Sequence, residues 1–223
     1  MCGRYRLNRF DLLHMGLRTP PLPGFEEFTE RPRFNVAPSQ RMPIVRANDE
    51  GDRELVGAHW GLIPSWTKEP KLKPINARAE TVGASGMFRQ AFSRRRCLVP
   101  ADGFYEWRGL KPPKQPFFIH RKDDRPFAFA GLWERWHPPG AEPIDTYTII
   151  TTTPNALMAG IHNRMPVILR PDDYDRWLDA AVPIDQIQSL LTPCPDDELE
   201  AYPVSSRVNS PKYDDAHCVT RAE

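Results

Sequence analysis

Hydrophobic and polar residues alternate along much of this chain, in short runs that turn residues separate. Runs of this kind, rich in Val, Ile, Phe and Tyr, are typical of β-strands. Tyr147 and Ile149 would face one way and Thr146 and Thr148 the other, which predicts a half-buried strand. The full pattern predicts strands over residues 41–47, 54–60, 97–100, 115–121, 126–132, 146–152, 165–169 and 200–204.

Helical periodicity is rarer than strand alternation. It predicts helices over residues 8–17, 85–93 and 171–180, with a fourth candidate at 184–191. Proline and glycine clusters predict loops over residues 19–33 and 136–145. Because strands and helices do not alternate regularly, a parallel doubly wound sheet is disfavoured. We expect an α+β fold, with one domain over residues 1–223 built around a mainly antiparallel, barrel-like β-sheet and a few flanking helices.

Composition excludes several classes of protein. The 223 residues are 40% hydrophobic and 26% charged, which excludes wholesale disorder, and the 25 prolines point to many turns. No apolar run approaches the ~20 residues of a membrane span, and no secretion signal is recognisable, so we expect a cytoplasmic protein with no membrane partner. The net charge of +1 means that any basic surface is local.

The four cysteines, Cys2, Cys97, Cys194 and Cys218, form no CxxC pair. A zinc site is therefore not expected, and neither is any other metal or cofactor. In a cytoplasmic protein the thiols should be reduced.

Cys2 follows the initiator in the opening Met1-Cys2-Gly3-Arg4. Removal of Met1 would leave an α-amine and a thiol on adjacent carbons, with reference pKa values of roughly 7.7–8.0 and about 8.5. Such an aminothiol can condense with an aldehyde to an imine, after which the sulfur closes a thiazolidine ring. It can equally act as an N-terminal nucleophile toward an amide. The ordinary alternative is a small residue near a frayed terminus.

Three segments add acid–base and anion-binding groups. Asn76 and Arg78 share one face if their segment is extended, and could hold a polar substrate and a neighbouring phosphate. Glu106 lies among aromatic residues that should raise the pKa of its carboxyl, unless it points to water. His162 is a candidate acid–base group, and Arg164 could clamp a phosphate bidentately. A structural histidine and a solvated basic loop are the ordinary alternatives.

Trp66 lies in a proline-flanked loop that precedes Lys68, Lys71 and Lys73. It belongs either to the core or to an exposed stacking platform of the kind that single-stranded nucleic acid binding uses.

Taken together and in this order, these motifs resemble the SOS-response-associated peptidase (SRAP) family. The resemblance runs from residue 2 to about residue 212 and rests on the opening residues, on residues 60–66, 75–80, 100–107 and 161–166, and on three further motifs at 33–38, 115–117 and 202–209. One departure follows Trp66, where bacterial relatives often have a second tryptophan and this chain has Thr67.

The resemblance implies an abasic-site processing protein of the DNA damage response. Such a protein binds single-stranded DNA that contains abasic sites and, after removing its own Met1, forms a covalent thiazolidine crosslink through the N-terminal cysteine. It would act as a monomer, in association with the nucleoid of a bacterium or in the nucleus of a eukaryote. On this chain the resemblance implies Cys2, Asn76, Glu106 and His162 as catalytic residues. The DNA-binding residues that it implies are Arg4, Trp66, Arg78 and Arg164.

Two other classes of function stay open at this point. An N-terminal-nucleophile cysteine peptidase that acts on other proteins would share Cys2 but would not need Trp66, Arg78 and Arg164 along one groove. A non-covalent single-stranded DNA binder would not need Cys2, Glu106 and His162 together.

Overall fold

The computed structural model describes residues 2–8, 28 and 31–222 of the chain. Most of the regular structure in these residues is β-strand. The strands are β1 Tyr5–Leu7, β2 Arg33–Val36, β3 Arg41–Ala47, β4 Arg53–Trp60, β5 Asn76–Arg78, β6 Arg96–Ala101, β7 Gly103–Arg108, β8 Gln115–Arg121, β9 Phe127–Trp136, β10 Ile144–Thr152, β11 Met165–Pro166, β12 Ile168–Leu169 and β13 Leu199–Pro203.

Five of these strands close a barrel. Strands β10, β4, β3, β6 and β9 are neighbours in that order, and β9 pairs back with β10. All of these pairings are antiparallel except that of β4 with β10. The short strands β5 and β11 extend the sheet beside β10, and β12 extends it beside β9.

A second, fully antiparallel sheet has the strand order β13-β8-β7-β1-β2. The chain passes into it from the barrel almost directly, since β6 ends at Ala101 and β7 begins at Gly103. Asp102 at this junction accepts hydrogen bonds from Arg6 Nε at 2.6 Å and from the Asn8 amide at 3.0 Å. A Cβ at position 103 would lie 2.2 Å from the Phe118 ring, so only glycine fits there. The junction thus fixes how the second sheet leaves the barrel.

The predicted α+β fold with a barrel-like, mainly antiparallel sheet is confirmed. The bounds of β3 and β8 are those predicted, and most other predicted strands differ by a few residues at their ends. The segment 165–169 divides into β11 and β12, because its two halves pair with different strands, β10 and β9. The half-buried pattern predicted for residues 146–152 is wrong. Thr146 and Thr148 are as buried as Tyr147 and Ile149, because other parts of the protein cover both faces of β10.

The helices are shorter than predicted. The helix predicted over 85–93 begins as turns, and only α1, Arg89–Arg94, is regular. The segment 171–180 forms a 3-10 turn, Pro171–Asp173, followed by α3, Tyr174–Leu178. Helix α4 covers Ile184–Gln188, and a helix that was not predicted, α2, covers Ala156–Ala159.

Two predictions concern residues near the N-terminus. The helix at 8–17 lies outside the described residues except for Asn8, and so does most of the loop at 19–33, whose last residue, Arg33, instead begins β2.

The loop predicted at 136–145 is shorter than expected because Ile144 pairs with Trp136. Among the helices that the model describes, none has the length and apolar character needed to cross a membrane.

Candidate functional site

The N-terminal segment runs beside β7 and buries the cysteine. Tyr5 pairs with Phe104, and the Tyr105 amide donates to the Arg4 carbonyl at 3.1 Å, so the residues before Tyr5 continue along the strand that carries Glu106. Cys2 is completely buried, and its thiol lies 3.8 Å from the Arg4 carbonyl oxygen. Burial raises the pKa of this thiol, and the neighbouring Glu106 raises it further. The thiol is therefore held in its protonated form.

Glu106 is the buried carboxylate of this site. It is 1% exposed, and burial raises the pKa of its carboxyl, which confirms the expectation from its aromatic neighbours. His162 opposes that shift, and its Nδ1 lies 4.0 Å from Glu106 Oε1. A thiol, a carboxyl of raised pKa and an imidazole thus lie together.

Helix α2 positions His162. Its N-cap is Asn155, whose side chain accepts from the Met158 amide at 3.0 Å and donates to the Cys194 carbonyl at 3.2 Å. The His162 amide donates to the Met158 carbonyl at 2.8 Å, which places the histidine in the turn that leaves the helix. His162 Nδ1 accepts from the Arg164 backbone amide at 3.1 Å, so this segment is turned rather than extended.

Asn76 and Arg78 lie on β5, which confirms that their segment is extended. β5 pairs in parallel with β10, where Asn76 is opposite Ile149 and Arg78 opposite Thr151. The Asn76 amide donates weakly to the Ile149 carbonyl at 3.5 Å, whereas its Oδ1 is buried and accepts no hydrogen bond within the described part of the chain. Arg78 is exposed. Asn76 therefore has an acceptor available, and Arg78 has a cation that faces solvent.

Arg164 lies on the other side of Thr151 and already has a carboxylate partner. Its guanidinium forms a bidentate pair with Glu80 at 2.6 and 2.9 Å and donates to the Thr151 carbonyl at 2.6 Å. This pair lowers the pKa of the Glu80 carboxyl. The fork that was expected to clamp a phosphate thus holds Glu80, a residue to which the sequence interpretation gave no role.

Arg4 and Trp107 contact the same asparagine. Arg4 donates to the Asn209 carbonyl at 3.4 Å, and Trp107 Nε1 donates to the Asn209 side chain at 2.7 Å. The turn around Asn209 is held by Asn35, whose amide donates to the Val208, Ser210 and Tyr213 carbonyls at 2.8–3.2 Å. The motifs that contain Asn35 and Asn209 together support this edge of the site.

Trp66 is a surface residue and not part of the core. Its side chain is 62% exposed, and Lys68, Lys71 and Lys73 on the same loop are exposed as well. Trp136 Nε1 donates to the Thr67 carbonyl at 2.6 Å, which fixes the start of the loop against β9. Of the two alternatives for Trp66, the structure selects the exposed position.

Six of the eight sequence-predicted site residues therefore form two adjacent groups. Cys2, Glu106 and His162 make up the first, and Asn76, Arg78 and Arg164 surround β10 near Thr151. The hydrogen bond between the Arg164 amide and His162 joins them. Across residues 2–8, 28 and 31–222, no cluster of three or more His, Cys, Asp or Glu side chains is arranged to hold a metal ion.

Comparisons with known proteins agree on one family. The family model described as SOS response associated peptidase (SRAP) matches residues 1–211. The abasic site processing protein YoqW of Bacillus subtilis is 46% identical over 217 residues, which cover 95% of this chain and 96% of the relative. The abasic site processing protein HMCES of Gallus gallus is 34% identical over 227 residues, with coverage of 86% and 67%.

A solved structure supports the same assignment at the level of the fold. A protein from Bacteroides thetaiotaomicron superposes with a TM-score of 0.88 at 28% identity, and the match covers 100% of both chains. Since the family model spans nearly the whole chain and relatives of more than 30% identity match along most of it, the chain belongs to the SOS response associated peptidase family.

Proposed function

We propose that this chain processes abasic sites in single-stranded DNA and attaches itself to them covalently through Cys2. The observation that carries the proposal is the grouping of Cys2 with Glu106 and His162, in which a shielded nucleophile lies beside two groups suited to proton transfer. The names of the relatives, abasic site processing proteins, point to the same lesion.

The chemistry requires a free α-amine on Cys2, and therefore loss of Met1. While Met1 is attached, the Cys2 nitrogen is an amide and cannot condense with a carbonyl. We include removal of Met1 by the protein itself in the proposal, because a thiol next to an acid–base pair is the arrangement that amide cleavage by a nucleophile needs.

An abasic deoxyribose must open before it can react. Its ring form equilibrates with an aldehyde when a proton moves from the anomeric hydroxyl to the ring oxygen, a transfer that Glu106 or His162 can carry out. A carboxyl of raised pKa is suited to this task, since it keeps its proton to a higher pH than an ordinary glutamate and can donate it to the ring oxygen.

The crosslink forms in two balanced steps. The Cys2 amine adds to the C1′ aldehyde, and water leaves to give an imine once an acid has protonated the hydroxyl. The Cys2 thiol then adds across the carbon–nitrogen double bond, its proton passes to nitrogen, and a thiazolidine results. Ring closure consumes the imine from which β-elimination and strand cleavage would otherwise proceed.

The remaining predicted residues would position the DNA. Asn76 Oδ1, which has no partner among the described residues, can accept from the opened sugar or from the terminal amine. Arg4, Arg78 and Arg164 would bind phosphates, and Trp66 would stack on a base. For Arg164 this requires a phosphate to displace Glu80, whose side chain is 46% exposed and so can swing away into solvent.

A denaturing gel tests the proposal. Purified protein is incubated with matched single strands, one with an abasic site and one intact, and intact mass reports whether Met1 is present. We expect a band of retarded mobility only with the abasic strand, only from protein that lacks Met1, and not from Cys2→Ala. Binding to both strands without a covalent band would leave a non-covalent DNA binder. Cleavage of unrelated polypeptides without DNA attachment would favour a peptidase that acts on other proteins.

A further inference from the structure

An arginine-lined cleft lies at the end of the barrel where β3 ends and where β4 and β6 begin. Residues of α3 also line it. Its volume is about 900 Å³, which is within the range of ligand-binding clefts. Its cationic lining consists of Arg53, Arg94, Arg95, Arg96 and Arg176. Three aspartates, Asp49, Asp175 and Asp179, also line it, so the arginines outnumber the carboxylates by five to three.

These arginines differ in how far the fold already uses them. Arg96 is committed to structure, because its guanidinium donates to the carbonyls of Phe92, Ser93, Trp177 and Asp179 at 2.6–2.8 Å. Arg94 is exposed, and its side chain forms no hydrogen bond or ion pair in the part of the chain that the model describes. Arg95 Nε is a buried donor that likewise has no partner there. Arg96 therefore shapes the cleft, Arg94 is available to a ligand, and Arg95 keeps one unpartnered donor beside its pair with Glu134.

The other two arginines have weakly held partners. Arg53 pairs with Asp175, whose side chain is 89% exposed. Arg176 lies 3.9 Å from Asp173, donates to the Gln186 carbonyl at 3.2 Å and is 40% exposed. Solvent-exposed ion pairs contribute little to stability, so a phosphate can replace these carboxylates at low cost.

A single buried carboxylate joins this cleft to the Trp66 loop. Glu134 accepts from Arg95 at 2.7 Å and from the Ser65 amide at 3.3 Å, and Ser65 precedes the exposed Trp66. Trp133, which also lines the cleft, donates from its amide to the Arg95 carbonyl at 2.9 Å. The cleft and the stacking residue therefore share one support on β9.

We propose that the arginine cleft is a second phosphate-binding site, which takes the backbone of the single strand where it continues beyond Trp66. The inference rests on the proposed function, since it needs DNA as the ligand. It adds a contact region outside the lesion site, held by Arg94, Arg95, Arg53 and Arg176. The ligand chemistry is that of phosphodiesters, with no base selectivity, because arginines on a backbone position a strand without reading its sequence.

The length of the strand provides the test. Equilibrium binding is measured with intact single strands of about 5 and about 20 nucleotides, since the shorter probe is the size of one short binding site. R94A/R176A should lower the log–log slope of affinity against salt for the longer strand by roughly 1.4, from about 0.7 for each lost phosphate contact. The affinity for the shorter strand should not change. R125A/R170A, which removes two exposed arginines outside the cleft, is the matched control.

A gain of affinity excludes misfolding as the explanation. D175N removes the carboxylate that competes for Arg53 and should tighten binding of the longer strand about two- to fivefold. D197N removes an exposed carboxylate elsewhere and should not. Equal losses in the cleft and control arginine variants, or equal losses on both strand lengths, would overturn the inference. A loss of affinity that appears only when part of the longer strand is paired into a duplex would overturn it as well.

The test stays distinct from that of the proposed function. These probes carry no lesion, so failure of the cleft leaves covalent attachment through Cys2 untouched. Failure of Cys2 to form a covalent band would remove the proposed reaction and not the binding data.

Discussion

Glu106 and Glu134 are both 1% exposed, yet they lie in different sheets and have different partners. Glu134, on the barrel strand β9, accepts from Arg95 at 2.7 Å and from a backbone amide. Glu106, on β7, has a histidine nitrogen at 4.0 Å, and burial raises the pKa of its carboxyl. An arginine partner is always charged and fixes a carboxylate in place, whereas an imidazole at 4.0 Å is too far away to hold Glu106 by a direct hydrogen bond. The partner, and not burial, separates a structural carboxylate from one suited to chemistry.

The same contrast holds for two cysteines. Cys97 on β6 and Cys2 are both fully buried, and burial raises the pKa of both thiols. Only for Cys2 does a carboxylate, Glu106, add to the effect. We therefore expect substitutions of Glu106 and Cys2 to change the crosslinking rate, and substitutions of Glu134 and Cys97 to change stability.

The largest expected effect is that of Cys2→Ala, which should abolish the covalent band. Without the thiol the imine cannot close to the stable thiazolidine ring. Cys2→Ser should give at most a weaker, reversible adduct. The matched Cys97→Ala should keep the band and lose about 1 kcal/mol of stability, as is usual for a small cavity in a core. Gel quantification and urea denaturation give the two values. A band of normal intensity from Cys2→Ala would disprove the assignment of the nucleophile.

Glu106→Gln should slow crosslinking by roughly 10²- to 10⁴-fold, the range of a lost general acid–base group. Binding of intact single strands should stay within a few fold of the parent chain, and His162→Ala should behave in the same way but less severely. Single-turnover gel kinetics measure the rate, and anisotropy measures the affinity. Wholesale loss of DNA binding in either variant would show that its role is structural.

Glu134→Gln should act on stability instead. It leaves Arg95 with a neutral partner and weakens the support of the Ser65 amide, which should cost roughly 1–3 kcal/mol in urea unfolding. The crosslinking rate of the folded protein should not change. A slower rate at full folding would mean that the barrel carboxylate takes part in the chemistry and that the comparison fails.

The smallest expected effect concerns pH. The folded state raises the pKa of Glu106 above its unfolded value of about 4.3. Between the two pKa values the folded protein therefore keeps a proton that the unfolded chain has lost, and this proton stabilises the fold. That contribution is complete below the unfolded pKa and is lost as the pH rises through the folded pKa. Glu106→Gln should therefore raise Tm more at pH 8 than at pH 4. A gain that is equal at both pH values, also in a His162→Ala background, would contradict the raised pKa.

Sequence reasoning identified the elements whose signals are local. Long alternating runs predicted β3 and β8 with their observed bounds, whereas the short strands β1, β2 and β5 were missed. Three- and four-residue strands carry too few positions to show a period, and they form because a neighbouring strand offers hydrogen bonds. β7 was missed as well, because Asp102-Gly103 is a strong turn signal that here marks the passage between two sheets.

The candidate site divides in the same way. Cys2, Glu106 and His162 stand out by residue type within their motifs. Asn209 does not, because its contact with Arg4 joins residues 205 positions apart, and nothing near either residue announces it. The partnership of Arg164 with Glu80 was missed for the same reason, since it spans 84 positions.

The complete burial of Cys2 has a consequence for the protein at rest. Alkylating agents and peroxides attack thiolates that they can reach, and this thiol is both protonated and enclosed. A thiol kept in this condition reacts slowly with alkylating agents and peroxides in solution. For the reaction proposed above, this protection would keep the Cys2 thiol intact until it is used.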